Sequence, residues 1–197
     1  HDLIVLDHQR LACPRRPGAG GRRPLDGPRH RGHGDSGAPA RERADRYDYD
    51  PRDPVMSLFY ANAQDAPYDH RRLDGRRDVL VYQTPALRRP VRVAGRPEVR
   101  LFAASSARDT DFVVKLIDVY PEDFPDPNPN PTGIHMGGFQ QLVRGEPMRG
   151  RFRNSFSKPE PFTPGKMEKV EWIMPDIDHC FRRGHRIMVQ VQSSWFP

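Results

Sequence analysis

A chain of 197 residues and 22.6 kDa is long enough for one domain with a substantial core. Its 36% hydrophobic content and 22 prolines nevertheless imply that a long part of it is not packed. A net charge of +6 permits weak attraction to nucleic acid or anionic lipid, but an arginine-rich composition typical of GC-rich coding accounts for it better, and no run of about 18 apolar residues exists to make a transmembrane helix.

The first residues, HDLIVLDHQRLAC, lack a sustained apolar stretch and an initiator Met, so they are not read as a signal peptide; the chain is expected to be a piece of something longer. Leu3-Ile4-Val5-Leu6 could form a strand but has no evident partner nearby. Residues 14–45 are almost wholly Arg, Gly, Pro, Ala and Asp, with no helical or strand periodicity. Two readings fit the irregular segment 1–45: a flexible basic tail, or a stretch translated out of frame. Cys13 and Cys180 lack metal-ligand spacing and identify no redox compartment.

From Arg46 the character changes. Asp48–Val55 is a Pro-spaced connector, and 56–77 is irregular. Val79–Tyr82, Val91–Ala94 and Glu98–Ser105 read as strands, the last forming a hairpin with the strand after it. That next strand, 109–121, is the longest. Phe112, Val114 and Leu116 alternate with Val113, Ile117 and Val119, so both faces need cover, while Lys115 and Asp118 are expected toward solvent or toward each other's neighbours. Pro121 ends it. A Pro-rich loop follows, then Phe139–Arg144 stopped by Gly145, and a basic edge strand Met148–Arg153. Lys166–Met174 reads as an edge strand with one apolar face, Asp176–Phe181 as a helical turn, and Arg182–Gly184 as a tight turn. His185–Ser193 alternates with Ile187, Val189 and Val191 inward.

Seven or eight short strands with turn signals between them predict an all-β fold, a jelly-roll (galactose-binding-like) β-sandwich, and exclude a helical bundle. Ending on Trp195 and Phe196 suggests that a last strand is missing.

Several motifs in fixed order then carry a resemblance: Asp78–Tyr82, Ala104-Ser105-Ser106, Asp109–Phe112 with Lys115–Pro121, Arg149–Arg153, Pro159-Glu160-Pro161, and Gly184-His185-Arg186-Ile187 through Ser193-Ser194 to Phe196-Pro197. From about Arg46 to Pro197 the chain resembles the C-terminal domain of the X-prolyl dipeptidyl peptidase and cocaine esterase family of serine hydrolases. Gly137–Gln140 and Arg186–Ser194 look closest to the α-amino-acid ester hydrolases. The resemblance implies a three-part enzyme: an α/β-hydrolase domain with a Ser-His-Asp triad, a helical cap, and a jelly roll for residues 46–197 that walls the active site and carries no triad member. By the same resemblance the full enzyme would act on α-amino-acid esters or X-Pro dipeptides through an acyl-Ser intermediate, and this chain alone is expected to be inactive. The implied partners are the hydrolase and cap domains, with no nucleic acid and no membrane; oligomerisation is left open.

Read residue by residue, no catalytic, cofactor or metal residue is assigned. Ser36 in Gly34-Asp35-Ser36-Gly37 lacks the spacing of a nucleophile elbow, and His30 in Gly27-Pro28-Arg29-His30-Arg31-Gly32 echoes the family's histidine segment without its Trp. His30 and His33 with Asp26 and Asp35 have no scaffold to make them metal ligands. His135, His179 and His185 read as turn or interface residues. Glu122, Asp123 and Asp126 read as a solvated acidic loop, not a calcium loop. Arg149, Arg151 and Arg153 share one face if the strand is regular, which suits a domain contact. The rival reading is a free-standing jelly-roll module binding glycan or protein; it expects exposed aromatics, whereas Trp172 and Trp195 read as core or interface.

Overall fold

The two-faced strand expected over 109–121 forms at Asp111–Val119 and lies inside a sheet. The computed structural model describes residues 2–7, 23–24, 44–57 and 69–195, with the side chains of residues from 44 onward. Its strands are β1 (Asp2–Asp7), β2 (Arg23–Pro24), β3 (Asp45–Tyr49), β4 (Leu80–Gln83), β5 (Val91–Gly95), β6 (Glu98–Ser105), β7 (Asp111–Val119), β8 (Gln140–Arg149), β9 (Glu168–Ile173), β10 (Ile177–Phe181) and β11 (Arg186–Gln192). Among the described residues there is no α-helix, only 3₁₀ turns at His70–Leu73 and Gly150–Phe152.

Two sheets make a sandwich. One has the order β3-β1-β6-β9, the other β2-β4-β11-β7-β8, and β5 pairs separately with β10. The core between them takes Val99, Leu101 and Ala103 from β6 and Val170 and Trp172 from β9. Against these stand Phe112 and Val114 from β7 and Val189 and Val191 from β11. This is the all-β sandwich expected from the strand pattern.

Several local expectations change. The Leu3–Leu6 run does find partners, at Asp45–Asp48 of β3 and Ala103–Ser105 of β6; both are too distant in sequence to be visible from the run itself. β6 and β7 do not form a hairpin. β6 pairs with β1 and β9, β7 with β11 and β8, so residues 106–110 carry the chain from one sheet to the other. Asp176–Phe181 contains no helical turn; Ile177–Phe181 is a strand, because β5 offers it an antiparallel edge.

Nor does Gly145 stop a strand. β8 runs through it, with a bulge opposite Leu116 and Ile117 that accommodates one extra residue. A Cβ on Gly145 would lie 2.8 Å from Cη2 of Trp195, so the glycine marks a close approach rather than a break. Past Arg149 the backbone turns into the 3₁₀ segment, so Met148–Arg153 is no single strand.

The connector Asp48–Val55 is tied down by the chain's last strand. The Tyr47 hydroxyl is 2.8 Å from Ser193 Oγ, and Val55 N–H donates to Ser194 Oγ at 2.7 Å. Val55 then packs with Leu73 and Val79 on the outer side of the five-stranded sheet.

Candidate functional site

Three side chains meet at Asp118. Its Oδ1 is 2.8 Å from His185 Nδ1 and its Oδ2 is 2.9 Å from His179 Nε2. The expectation that Asp118 faces solvent is therefore incorrect: it points to the inner side of β7 and is buried, because two imidazoles from β10 and the turn before β11 satisfy it. His185 sits under the rings of Tyr120 and Phe124, with centroids 4.5 and 5.8 Å away.

A hydrolytic triad needs an acid on one imidazole nitrogen and a nucleophile on the other. Here one acid holds two histidines. Among the described residues, neither imidazole hydrogen-bonds a serine hydroxyl. The constellation is a buried polar tie between β7, β10 and β11. His179 lies within β10 and His185 in the turn before β11, and both pack against Asp118. Ser36, His30, His33, Asp26 and Asp35 lie outside the described residues.

The acidic loop after β7 is braced by one arginine. Arg71 donates from Nη1 to the Gly137 carbonyl at 2.6 Å, from Nη2 to the His135 carbonyl at 2.7 Å, and from Nε to Asp69 at 2.6 Å. Asp126 accepts from the Met136 N–H and contacts His135 Nδ1, and these bonds hold its carboxyl below the usual range. Glu122, Asp123 and Asp126 are exposed, and no group of three metal-ligating side chains occurs among the described residues.

Arg149, Arg151 and Arg153 do not form a common basic face. The backbone changes from strand to 3₁₀ turn at Gly150, and each guanidinium is engaged separately: Arg149 with Asp111 at 2.8 Å, Arg151 with Asp109 at 3.0 Å, and Arg153 with the Glu160 carbonyl at 2.5 Å. The carboxylates of Asp111 and Asp109 offset the charges of Arg149 and Arg151.

A group that sequence reasoning misplaced lies on the outer side of the five-stranded sheet. Lys115, expected in solvent, is fully buried, and its Nζ has no hydrogen-bond partner. The Trp195 ring covers it with its centroid 5.0 Å from Nζ. Burial lowers the ammonium's pKa to about 7. Gln190, its direct cross-strand partner, and Gln192 are also fully buried, each with an unpartnered Oε1. The only hint in the sequence is a lysine inside the otherwise apolar run Phe112–Ile117; the neighbours that make it unusual depend on register.

The C-terminal non-catalytic domain of X-Pro dipeptidyl-peptidase matches residues 28–197. The chain belongs to this family. The domain is 41% identical over 160 residues to cocaine esterase of Rhodococcus sp. (strain MB1 Bresler), covering 79% of this chain and 25% of that protein. Among solved structures it is similar to an aminopeptidase from a marine-sediment Thaumarchaeota archaeon, with a TM-score of 0.67, 41% identity, and coverage of 78% of this chain and 26% of that one. An α-amino acid ester hydrolase gives a TM-score of 0.67 and 41% identity, with 77% and 25% covered. The X-Pro dipeptidyl-peptidase C-terminal domain thus spans about a quarter of the relatives it matches. Those relatives are named as hydrolases, and the family of this chain is described as non-catalytic.

Proposed function

We propose that this chain is the supporting C-terminal sandwich of a serine hydrolase that cleaves α-amino-acid esters or X-Pro dipeptides. Its partners are the α/β-hydrolase and cap domains, against which it forms part of the active-site wall. Those domains carry the nucleophile, form the acyl-Ser intermediate and hydrolyse it with water.

The observation that carries this reading is the match over residues 28–197 to a domain described as non-catalytic, within relatives about four times as long that are named as an esterase, an ester hydrolase and an aminopeptidase. It is also supported by the chemistry of the buried His-Asp cluster at Asp118, whose acid is shared by two histidines and whose imidazoles meet no serine hydroxyl among the described residues.

The test is labelling of the purified chain with a serine-reactive fluorophosphonate, together with turnover of an amino-acid p-nitrophenyl ester. The expected result is no labelling and no turnover above buffer. Labelling that Ser36→Ala abolishes would place a nucleophile in this chain and overturn the reading.

A further inference from the structure

Buried polar atoms in folded proteins are nearly always paired, and an ammonium removed from water without an acceptor is among the costliest exceptions. Three unpartnered atoms occur together here: Lys115 Nζ, Gln190 Oε1 and Gln192 Oε1, on adjacent strands and on the same sheet face. We propose that Lys115 and Gln190 form a receiving site for a carboxylate, with Gln192 Oε1 bracing the ammonium and the indole of Trp195 closing the outer side.

The surroundings favour an anion. Side-chain alternation places Val113 and Ile117 beside Lys115 on β7, Met188 beside Gln190 on β11, and Gly145 opposite Lys115 on β8. Among the described residues no acid faces the ammonium; Asp118, nearby in sequence, points to the opposite side of the sheet and is taken by two histidines.

The hydrogen-bonding capacity also fits. A carboxylate accepts from Nζ, which has three hydrogens to give. Gln190 can turn its amide to donate as well, because its Nε2 is held only by a 3.8 Å contact to Met188 Sδ. Gln192 Nε2 is committed to the Ser194 carbonyl at 2.6 Å, so its Oε1 remains an acceptor for the ammonium. Water would satisfy these atoms but leave the charge uncompensated, whereas a phosphate brings more negative charge than one ammonium balances.

The carboxylate has two sources, a free small acid or an acidic side chain of another protein segment, and Trp195 separates them. The experiment follows the ¹³Cε resonance of Lys115 through a pH titration of the full chain, in sodium acetate and in sodium chloride of equal ionic strength, for the wild type, W195A and K115M. Circular dichroism checks folding, and W195L replaces W195A if the latter unfolds.

Acetate is expected to move the Lys115 midpoint up toward the ordinary lysine range and to raise Tm, with no Tm response in K115M. If the wild type responds, a free carboxylate enters. If only the Trp195 variant responds, the ring shuts out solutes and the occupant is a protein side chain. No difference between acetate and chloride in either protein, or an equal Tm response in K115M, overturns the proposal.

Discussion

The Tyr47 hydroxyl and Ser193 Oγ, 146 positions apart in sequence, lie 2.8 Å apart in a buried hydrogen bond that joins β3 to the end of β11. Ser193 Oγ is also 3.4 Å from Thr110 Oγ1, so three elements converge on one hydroxyl. Tyr47→Phe leaves Ser193 buried with a weaker partner and is expected to cost about 1–2 kcal/mol. In a urea-denaturation cycle, Tyr47→Phe and Ser193→Ala should couple, with the double variant losing less than the sum. Burial also raises the Tyr47 pKa above its ordinary 10.0. Its contribution is therefore complete below pH 10 and declines as pH rises beyond it, a decline that Tyr47→Phe removes.

Asp118 compensates two buried or half-buried imidazoles. Asp118→Ala strips both at once and is expected to cost on the order of 3 kcal/mol, more than replacement of His179, which is the more exposed of the pair. Denaturation midpoints for Asp118→Ala and His179→Ala give the comparison; equal losses would mean that His185 gains nothing from the acid.

Lys115 affects stability with a definite sign. Its folded-state pKa is about 7, below the 10.5 of an exposed lysine. As pH falls from 10.5 toward 7, the unfolded chain takes up a proton that the folded chain does not, so folding weakens over that interval and levels off below it. Lys115→Met removes this dependence. In the absence of a bound carboxylate it should stabilise the chain at pH 7 by a few kcal/mol at most. Urea midpoints of both proteins from pH 7 to pH 10 measure the difference; parallel curves would show that the lysine is not desolvated.

Gly145 allows Trp195 to lie on β8. In Gly145→Ala the new methyl would meet the indole at 2.8 Å, so the ring must lift. A cost of about 1–3 kcal/mol is expected, with a red shift of tryptophan emission. Combining it with Trp195→Ala should remove most of the extra cost, because the clash partner is gone. A full additive loss would assign the effect to the backbone instead.

Arg71 holds the 121–139 loop through two carbonyls. Arg71→Ala should leave the sandwich folded and raise amide exchange selectively in that loop. Uniform exchange across β7 and β11 would show that the arginine supports the whole fold.

Strand existence was legible in the sequence because side-chain alternation is a local property. β7, β9 and β11 carry their inward residues as Phe112 and Val114, Val170 and Trp172, and Val189 and Val191, each recognisable from spacing alone. The motifs Lys115–Pro121 and Ser193–Pro197 likewise pointed to the family before any geometry was known. What the sequence could not show is which strands become neighbours. Ile177–Phe181 looks like a turn until β5 is beside it, Gly145 looks like a stop until Trp195 lies over it, and Lys115 and Asp118 look solvent-facing until their opposite sheet faces are covered. Alternation assigns residues to one of two faces, but only the tertiary pairing of strands distant in the chain decides what each face meets, and hence whether a charge there is hydrated, paired or buried.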